Sequence, residues 1–250
     1  MSVPLHILAR TDDIVVIAKP PHLLVHRTPL ASRDKYFVMQ SLRDQLGQHV
    51  FPVVRLDRAA SGCMPVALSS EAAARLQIAM QSATKTYVAF TRGLWKREGE
   101  VVIDKPMKDD KGVLKEASSV VDCLGTSLEP RCSLLRVRPR TGRFHQVRRH
   151  VRDLSHPIVQ DRQHGDNKTN RWWRETHDYT RLGLHCLRLE LPMGEGLVVE
   201  SPLFTDHYDL FTQLPWWDDA VTKEPGLARP PLTIPEMLLP KPDPEPDPIG

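Results

Sequence analysis

The period of apolar and polar positions changes repeatedly along the chain. Ile14–Ala18 is an unbroken apolar run of strand length, and Leu23–His26 is a second β-prone run. Lys19-Pro20-Pro21 between them signals a tight turn. Phe37, Val38, Leu42 and Leu46 recur at helical spacing, and Gly47 stops them. Met64–Leu68 predicts a buried strand; Ser69 or Ser70 then caps a helix through Met80, with Glu71 at its positive end. Lys85–Arg92, Val101–Asp104, Ser119–Leu124 and Ser133–Arg138 predict further strands. Phe144–Leu154 is helix-like and ends at Ser155-His156-Pro157. His185–Leu191 alternates with Leu187, Leu189 and Leu191 on one side; a strand at Leu197–Glu200 and a short helix at Asp206–Leu214 follow.

Strands outnumber helices and are not regularly interleaved with them, which predicts an α+β fold with a mixed, mostly antiparallel central sheet. At 250 residues and 40% apolar composition the chain can build a sizeable core, so full disorder is excluded. No apolar run is long enough to cross a bilayer, and the first residues lack a signal-peptide layout. Four scattered cysteines, Cys63, Cys123, Cys132 and Cys186, fit reduced thiols in a cytoplasmic protein.

Residues 1–217 read as one domain and 218–250 as an appendage that either wraps on it or hangs free. Nine of the 22 prolines fall within 225–250, a composition that favours extended polyproline geometry. The same segment divides the charge. From Asp218 onward seven acids face three bases, so the net +3 of the chain resolves into −4 on the tail and +7 on the rest. Arg131–Arg152 alone carries eight arginines, two histidines and no acid. A positive stripe of that density suits a polyanion, the plain alternative being a solvated helix face.

Three local patterns bear chemistry. Arg55-Leu56-Asp57-Arg58-Ala59-Ala60-Ser61-Gly62 places an aspartate between two arginines in a loop. Nearby positive charge favours the carboxylate that a nucleophile or base requires, although a loop salt bridge would look the same. Thr141-Gly142-Arg143-Phe144-His145-Gln146-Val147-Arg148-Arg149-His150 gives a turn and then a helix start. In a helix Gln146, Arg149 and His150 would share a face suited to phosphates, or form a basic amphipathic surface with no specific task. Lys85-Thr86-Tyr87 presents a lone strand tyrosine, ordinarily a core or interface residue. Six histidines between 145 and 185 show no repeated metal-ligand spacing, so no metal is expected; no phosphate-binding Gly-rich loop or serine-hydrolase elbow is present.

Taken together, the patterns resemble the RluA-like family of pseudouridine synthases. Lys-Pro-x-x-x-x-x-His (Lys19, Pro20, His26), Arg-Leu-Asp-Arg-x-x-Ser-Gly, Lys-x-Tyr, Thr-Gly-Arg-x-His-Gln-x-Arg-x-His and His-Pro-Ile-x-x-Asp occur in the family's order within residues 14–190. Arg148-Arg149-His150, Ser155-His156-Pro157-Ile158, His164-Gly165-Asp166, Asn170-Arg171 and the stretch Val38–Val50 look most like its tRNA pseudouridine synthase C branch. The chain departs from the family pattern at Val54 (usually His), Ala60 (usually Thr) and Gln160 (usually Gly).

The resemblance implies the pseudouridine synthase fold with a catalytic cleft across the sheet, and a cofactor-free isomerisation of uridine. The uracil–ribose C–N bond breaks, the base turns, and a C–C bond forms through C5. Asp57 would be the catalytic carboxylate, Arg143 its charge partner, and Tyr87 a ring stacked on the target base. Arg55 and Arg58 would meet RNA around the displaced nucleotide, and Leu187 or Leu189 would line the pocket floor. His145, Gln146, Arg148 and Arg149 complete the expected RNA-binding set. Whether Asp57 attacks the sugar, adds to the base or abstracts a ribose proton stays open. The expected partner is tRNA, at a T-stem uridine near the acceptor end (the position 65 type), with the chain a monomer lacking protein partners. No match to the family's optional amino-terminal RNA-binding domain is seen, so the +7 body is expected to hold RNA itself. Ribosomal RNA as substrate and a non-catalytic RNA-binding role are the alternatives, and a metal-dependent RNA hydrolase stands third.

Overall fold

The computed structural model describes residues 2–27, 34–109 and 111–239; the last part of the Pro-rich tail, 240–250, lies outside them. The chain runs β1 (His6–Arg10), β2 (Ile14–Lys19), α1 (Val38–Leu46), β3 (Phe51–Pro52), β4 (Ser61–Ala67), α2 (Ser70–Ser82), β5 (Thr84–Arg92) and β6 (Val101–Asp104). It continues through β7 (Met107–Lys108), β8 (Leu114–Lys115), β9 (Ser118–Ser127), β10 (Cys132–Pro139), α3 (Gln146–Asp153) and α4 (Asn167–His177). β11 (Leu184–Leu191), β12 (Leu197–Glu200), α5 (Thr205–Phe211) and α6 (Trp217–Lys223) complete it.

Local signals explain several boundaries. Gly47 takes the left-handed conformation at the end of α1 and returns its N–H to Arg43 O. The Ser69 side chain accepts from Ala72 N at the start of α2, as the sequence predicts. Asp166 caps α4 in the same way, accepting from Thr169 N. Leu23–His26 forms no strand: Leu23 and Val25 are buried in the cluster with Val38 and Leu42, and Leu24 makes one isolated bridge to Phe37.

Among the described residues one ten-stranded sheet dominates, ordered β1-β2-β4-β11-β5-β10-β9-β6, with β12 beside β11 and β3 beside β4. The strand pairings are antiparallel except β4–β11, where His185 faces Ser61 and Cys186 faces Gly62. A Cβ at Gly62 would stand 2.2 Å from Cys186 O, and the residue sits at φ +109°, so only glycine fits that junction. The α+β architecture with a mixed, mostly antiparallel sheet is therefore as expected.

β5 sends Val88 and Phe90 into one apolar cluster and Tyr87 and Ala89 toward another, so both faces of the sheet are covered. β11 behaves differently. Its pairing with β5 shifts register between Cys186 and Arg188. Leu187 consequently joins Phe90, Leu203, Phe211 and Trp216, while Leu189 and Leu191 pack with Cys186. The three leucines thus do not share one side; the irregularity reverses the alternation.

The segment from 218 wraps on the body as far as it is described. Ala220 and Leu227 are fully buried in the Phe90–Trp216 cluster. Glu224 is buried between Arg136, at 3.2 Å, and Arg188, and Arg229 pairs with Glu200 at 2.7 Å. The acids that set the tail's charge apart are in part structural partners of body arginines.

Candidate active site

The loop between β3 and β4 carries Asp57, and its anchoring begins with Lys19. That lysine is fully buried at the end of β2, and its Nζ donates to Pro20 O, Arg58 O and Ala60 O at 2.8, 3.2 and 2.9 Å. Burial, with Arg181 adding to it, pushes the Lys19 pKa down to about 7. Two of those carbonyls belong to the Asp57 loop, so the lysine braces its backbone. At the loop's end Ser61 Oγ accepts from Arg181 Nη2 at 2.7 Å and meets His185 Nδ1 at 2.7 Å. Burial holds His185 down to about 3 and hence neutral. Its Nε2 donates to Ser201 O, so its Nδ1 is the acceptor for the serine hydroxyl.

Asp57 is about one-quarter exposed, with side-chain accessibility of 27%. Arg148 Nη1 donates to Asp57 Oδ2 at 2.8 Å. The other nitrogens of the same guanidinium, Nε and Nη2, bind Asp161 Oδ2 and Oδ1 at 2.7 and 2.8 Å. Asp161 is fully buried and also accepts the backbone N–H groups of Gln163 and His164, both at 2.9 Å. Burial would raise the Asp161 pKa, but Arg148 and those two amides outweigh it and hold the carboxyl below its usual range. The result is a fixed guanidinium clamped from behind, with one edge offered to Asp57.

His145 forms the second wall. It stands at φ +54° just before α3, which is why the helix begins at Gln146 rather than at Phe144. Its Nε2 lies 3.7 Å from Asp57 Oδ2 and its Nδ1 3.0 Å from His164 Nε2. Burial lowers its pKa to about 4 even though Asp57 pulls the other way, so the ring is neutral near pH 7. Tyr87 lies opposite Cys186 in the β5–β11 register. Burial raises the Tyr87 pKa well above its ordinary value, and Cys186 and the charge of Asp57 add to that shift. The phenol therefore stays protonated in the Asp57 neighbourhood.

The expected residues separate into three groups. Asp57, His145, Arg148 and Tyr87 come together. Arg143, expected to pair with Asp57, is instead exposed, and its Nε donates to Glu116 O at 2.9 Å. It precedes the left-handed His145, outside the helix that carries Arg148 inward. Arg148 takes the pairing assigned to Arg143. Arg55 is exposed beside the loop, whereas Arg58 is held by Asp34 at 2.6 Å and His22 O at 3.3 Å. Arg149 is half-buried and reaches Lys108 O at 3.3 Å.

Gln146 and Leu187 belong to the scaffold. Gln146 is buried: its Oε1 accepts from Thr141 Oγ1 and Arg143 N, and its Nε2 donates to Ser118 O and Ser119 Oγ. His150 is buried against Ser119 too, so Gln146 and His150 pack on β9 rather than meeting phosphates, and of the three only Arg149 stays partly exposed. Leu187 is fully buried in the core behind the sheet and does not line the cleft; the register shift in β11 turned it away.

Of the departures from the family pattern, Gln160 has a clear structural account. It occupies φ +60°, and its Nε2 donates to Asn170 O and Tyr179 O at 2.7 and 2.5 Å. Sequence reasoning missed Asp161, His164 and Lys19 as site residues. The last Asp of His-Pro-Ile-x-x-Asp was the available signal for the first. Among the described residues no three His, Cys, Asp or Glu side chains converge as a metal-ligand set.

A family model described as RNA pseudouridylate synthase matches residues 13–153. The chain is 38% identical over 242 residues to a Vibrio parahaemolyticus protein named tRNA pseudouridine synthase C, covering 88% of this chain and 98% of that one. A protein of the same name from Vibrio vulnificus is 42% identical over 235 residues, covering 85% and 96%. Among solved structures, human RNA pseudouridylate synthase domain containing 1 superposes with a TM-score of 0.65 at 25% identity, over 80% of this chain and 83% of that one. Human RNA pseudouridylate synthase domain containing 4 shares the fold at a TM-score of 0.64 and 21% identity, over 87% and 92%.

Proposed function

The chain belongs to the RNA pseudouridylate synthase family, and on that footing we propose that it isomerises one tRNA uridine to pseudouridine with Asp57 as the reacting carboxylate. The target is a T-stem uridine near the acceptor end. The observation that carries this reading is the Asp57–Arg148–Asp161 array: a partly exposed carboxylate, held on one oxygen by a guanidinium that is itself fixed from behind.

A stacked uridine cannot reach Asp57 from within a stem, so it leaves the duplex at a cost of a few kcal/mol. Arg55, Arg143 and Arg149, on or near the surface around the loop, offset that cost through phosphate contacts and counterion release. Tyr87 stacks on the extruded base. The N1–C1′ bond then breaks, the retained uracil turns, and a C5–C1′ bond forms. The proton lost from C5 is balanced by one gained at N1, so product and substrate are isomers and no cofactor is consumed. The neutral His145, beside Asp57 and tied to His164, helps keep the detached base in place. The protein works in the cytoplasm as a single chain without a protein partner; among the described residues no helix is long and apolar enough to cross a membrane.

The test is pseudouridine mapping at nucleotide resolution in RNA from cells with the intact gene, a deletion, or the Asp57→Asn variant. One tRNA position should lose its pseudouridine in both the deletion and the variant, while purified Asp57→Asn protein binds tRNA within several-fold of the parent. Undiminished product from Asp57→Asn overturns the assignment, and a lost site in ribosomal RNA alone overturns the choice of tRNA.

A further inference from the structure

The loop from Asp161 to Asp166 joins the Asp57 site to a second concavity. At one end Asp161 clamps Arg148. At the other, Asp166 caps α4 and pairs with Arg92 at 2.9 Å. Five steps of chain separate the two, at most about 18 Å when fully extended. Beyond Arg92 opens a groove of about 660 Å³ lined by Arg92, Pro130, Arg131, Lys168 and Trp172 among others. That size matches pockets that take single small organic groups.

Its chemistry is unusual for a surface with no task. Trp172 is 43% exposed, and its ring lies T-shaped against the buried Trp173 at 4.9 Å and His177 at 5.2 Å, contacts that restrict its motion. Leu128, on the neighbouring turn, is 62% exposed. Arg131 and Lys168 are exposed and have no carboxylate within 4.0 Å among the described residues. The nearest acids in sequence are Asp166, already paired with Arg92 at 2.9 Å, and Glu129, which lines the adjoining concavity. A rigid aromatic face flanked by two unneutralised cations is what a stacked base and its phosphate need.

We propose that this groove is a second RNA-contact site, which stacks an unpaired nucleotide of the substrate on Trp172 while Arg131 and Lys168 hold the adjoining phosphates. The inference rests on the RNA-modifying reading above and adds a contact outside the chemistry. The 161–166 loop spans at most about 18 Å, a separation shorter than the substrate itself.

The experiment measures affinity of the full chain for an unmodified tRNA transcript and for a blunt duplex of the stem alone, together with steady-state rates on the transcript. Trp172→Ala is expected to weaken transcript binding by roughly 5- to 100-fold, the range of one base–aromatic stack. The loss should fall on KM rather than kcat, leave the blunt duplex unaffected, and be largely restored in Trp172→Phe. Arg131→Ala with Lys168→Ala should lower the salt dependence of log Kd by about 1 to 2. Transcript affinity and KM within twofold of the parent in Trp172→Ala overturn the groove. Because affinity is also read on the Asp57→Asn protein, that result is separable from a failure of the isomerase reading, which would show as absent product with the Trp172 effect intact.

Discussion

Arg148 Nη1 lies 2.8 Å from Asp57 Oδ2 across 91 positions of chain, and the same guanidinium spends its other edge on the buried Asp161. One side chain thus carries both a structural ion pair and the orientation of the carboxylate proposed to react. The two duties make different demands, and a substitution series can separate them.

Arg148→Ala leaves the buried Asp161 without its counter-charge, which should cost about 3–5 kcal/mol of stability and abolish product. Arg148→Lys cannot hold two oxygens of Asp161 and reach Asp57 at once, so it should fold better than the alanine variant yet stay poorly active. Arg143→Ala should keep the stability of the parent and lose only RNA affinity, read as KM. Equal kcat losses from Arg143→Ala and Arg148→Ala would contradict the geometry.

The parallel junction of β4 and β11 tolerates no side chain at Gly62, where a Cβ would lie 2.2 Å from Cys186 O. Gly62→Ala is expected to cost on the order of 3 kcal/mol or more and to displace the Asp57 loop. Gly99→Ala provides the control: φ is also positive, but nothing lies within 4 Å, so about 1–2 kcal/mol should suffice. Thermal unfolding of the two variants side by side decides the point.

Burial keeps several histidines neutral: His22 and His145 are lowered to about 4 and His185 to about 3. In the unfolded chain each regains an ordinary value near 6.5, so that state binds more protons between about pH 6.5 and 4. Stability is therefore lost as pH falls through this window. Asp161, depressed in the folded state, acts in the same sense at still lower pH. Urea midpoints measured from pH 7 to pH 4 should decline steadily; a flat profile would show that these rings are not buried as described.

Gln160 sits in the left-handed region and uses its side-chain amide to satisfy two backbone carbonyls. Gln160→Ala should lose about 1–3 kcal/mol by leaving those carbonyls unpaired. Gln160→Gly loses the same bonds but relieves backbone strain of about 1–2 kcal/mol, so it should be the more stable of the two. Denaturant unfolding with the reverse order would show that strain at this position is negligible.

What the sequence determined by itself was local or carried by residue order. The α1 stop at Gly47, the Ser69 cap of α2 and most of the strands followed from short-range steric and hydrogen-bonding rules that need no tertiary partner. The five ordered motifs likewise placed the chain in its family and singled out Asp57 as the candidate carboxylate. Tertiary structure decided which arginine meets the aspartate, because Arg143 and Arg148 are chemically alike. Only the left-handed turn at His145 directs the second inward and leaves the first in solvent. It also decided the side taken by Leu187, since a shift of register in β11 reverses an alternation that the sequence displays without interruption. Finally, it drew Glu224 and Leu227 into the body, because the arginines and the apolar surface that receive them lie far away in sequence.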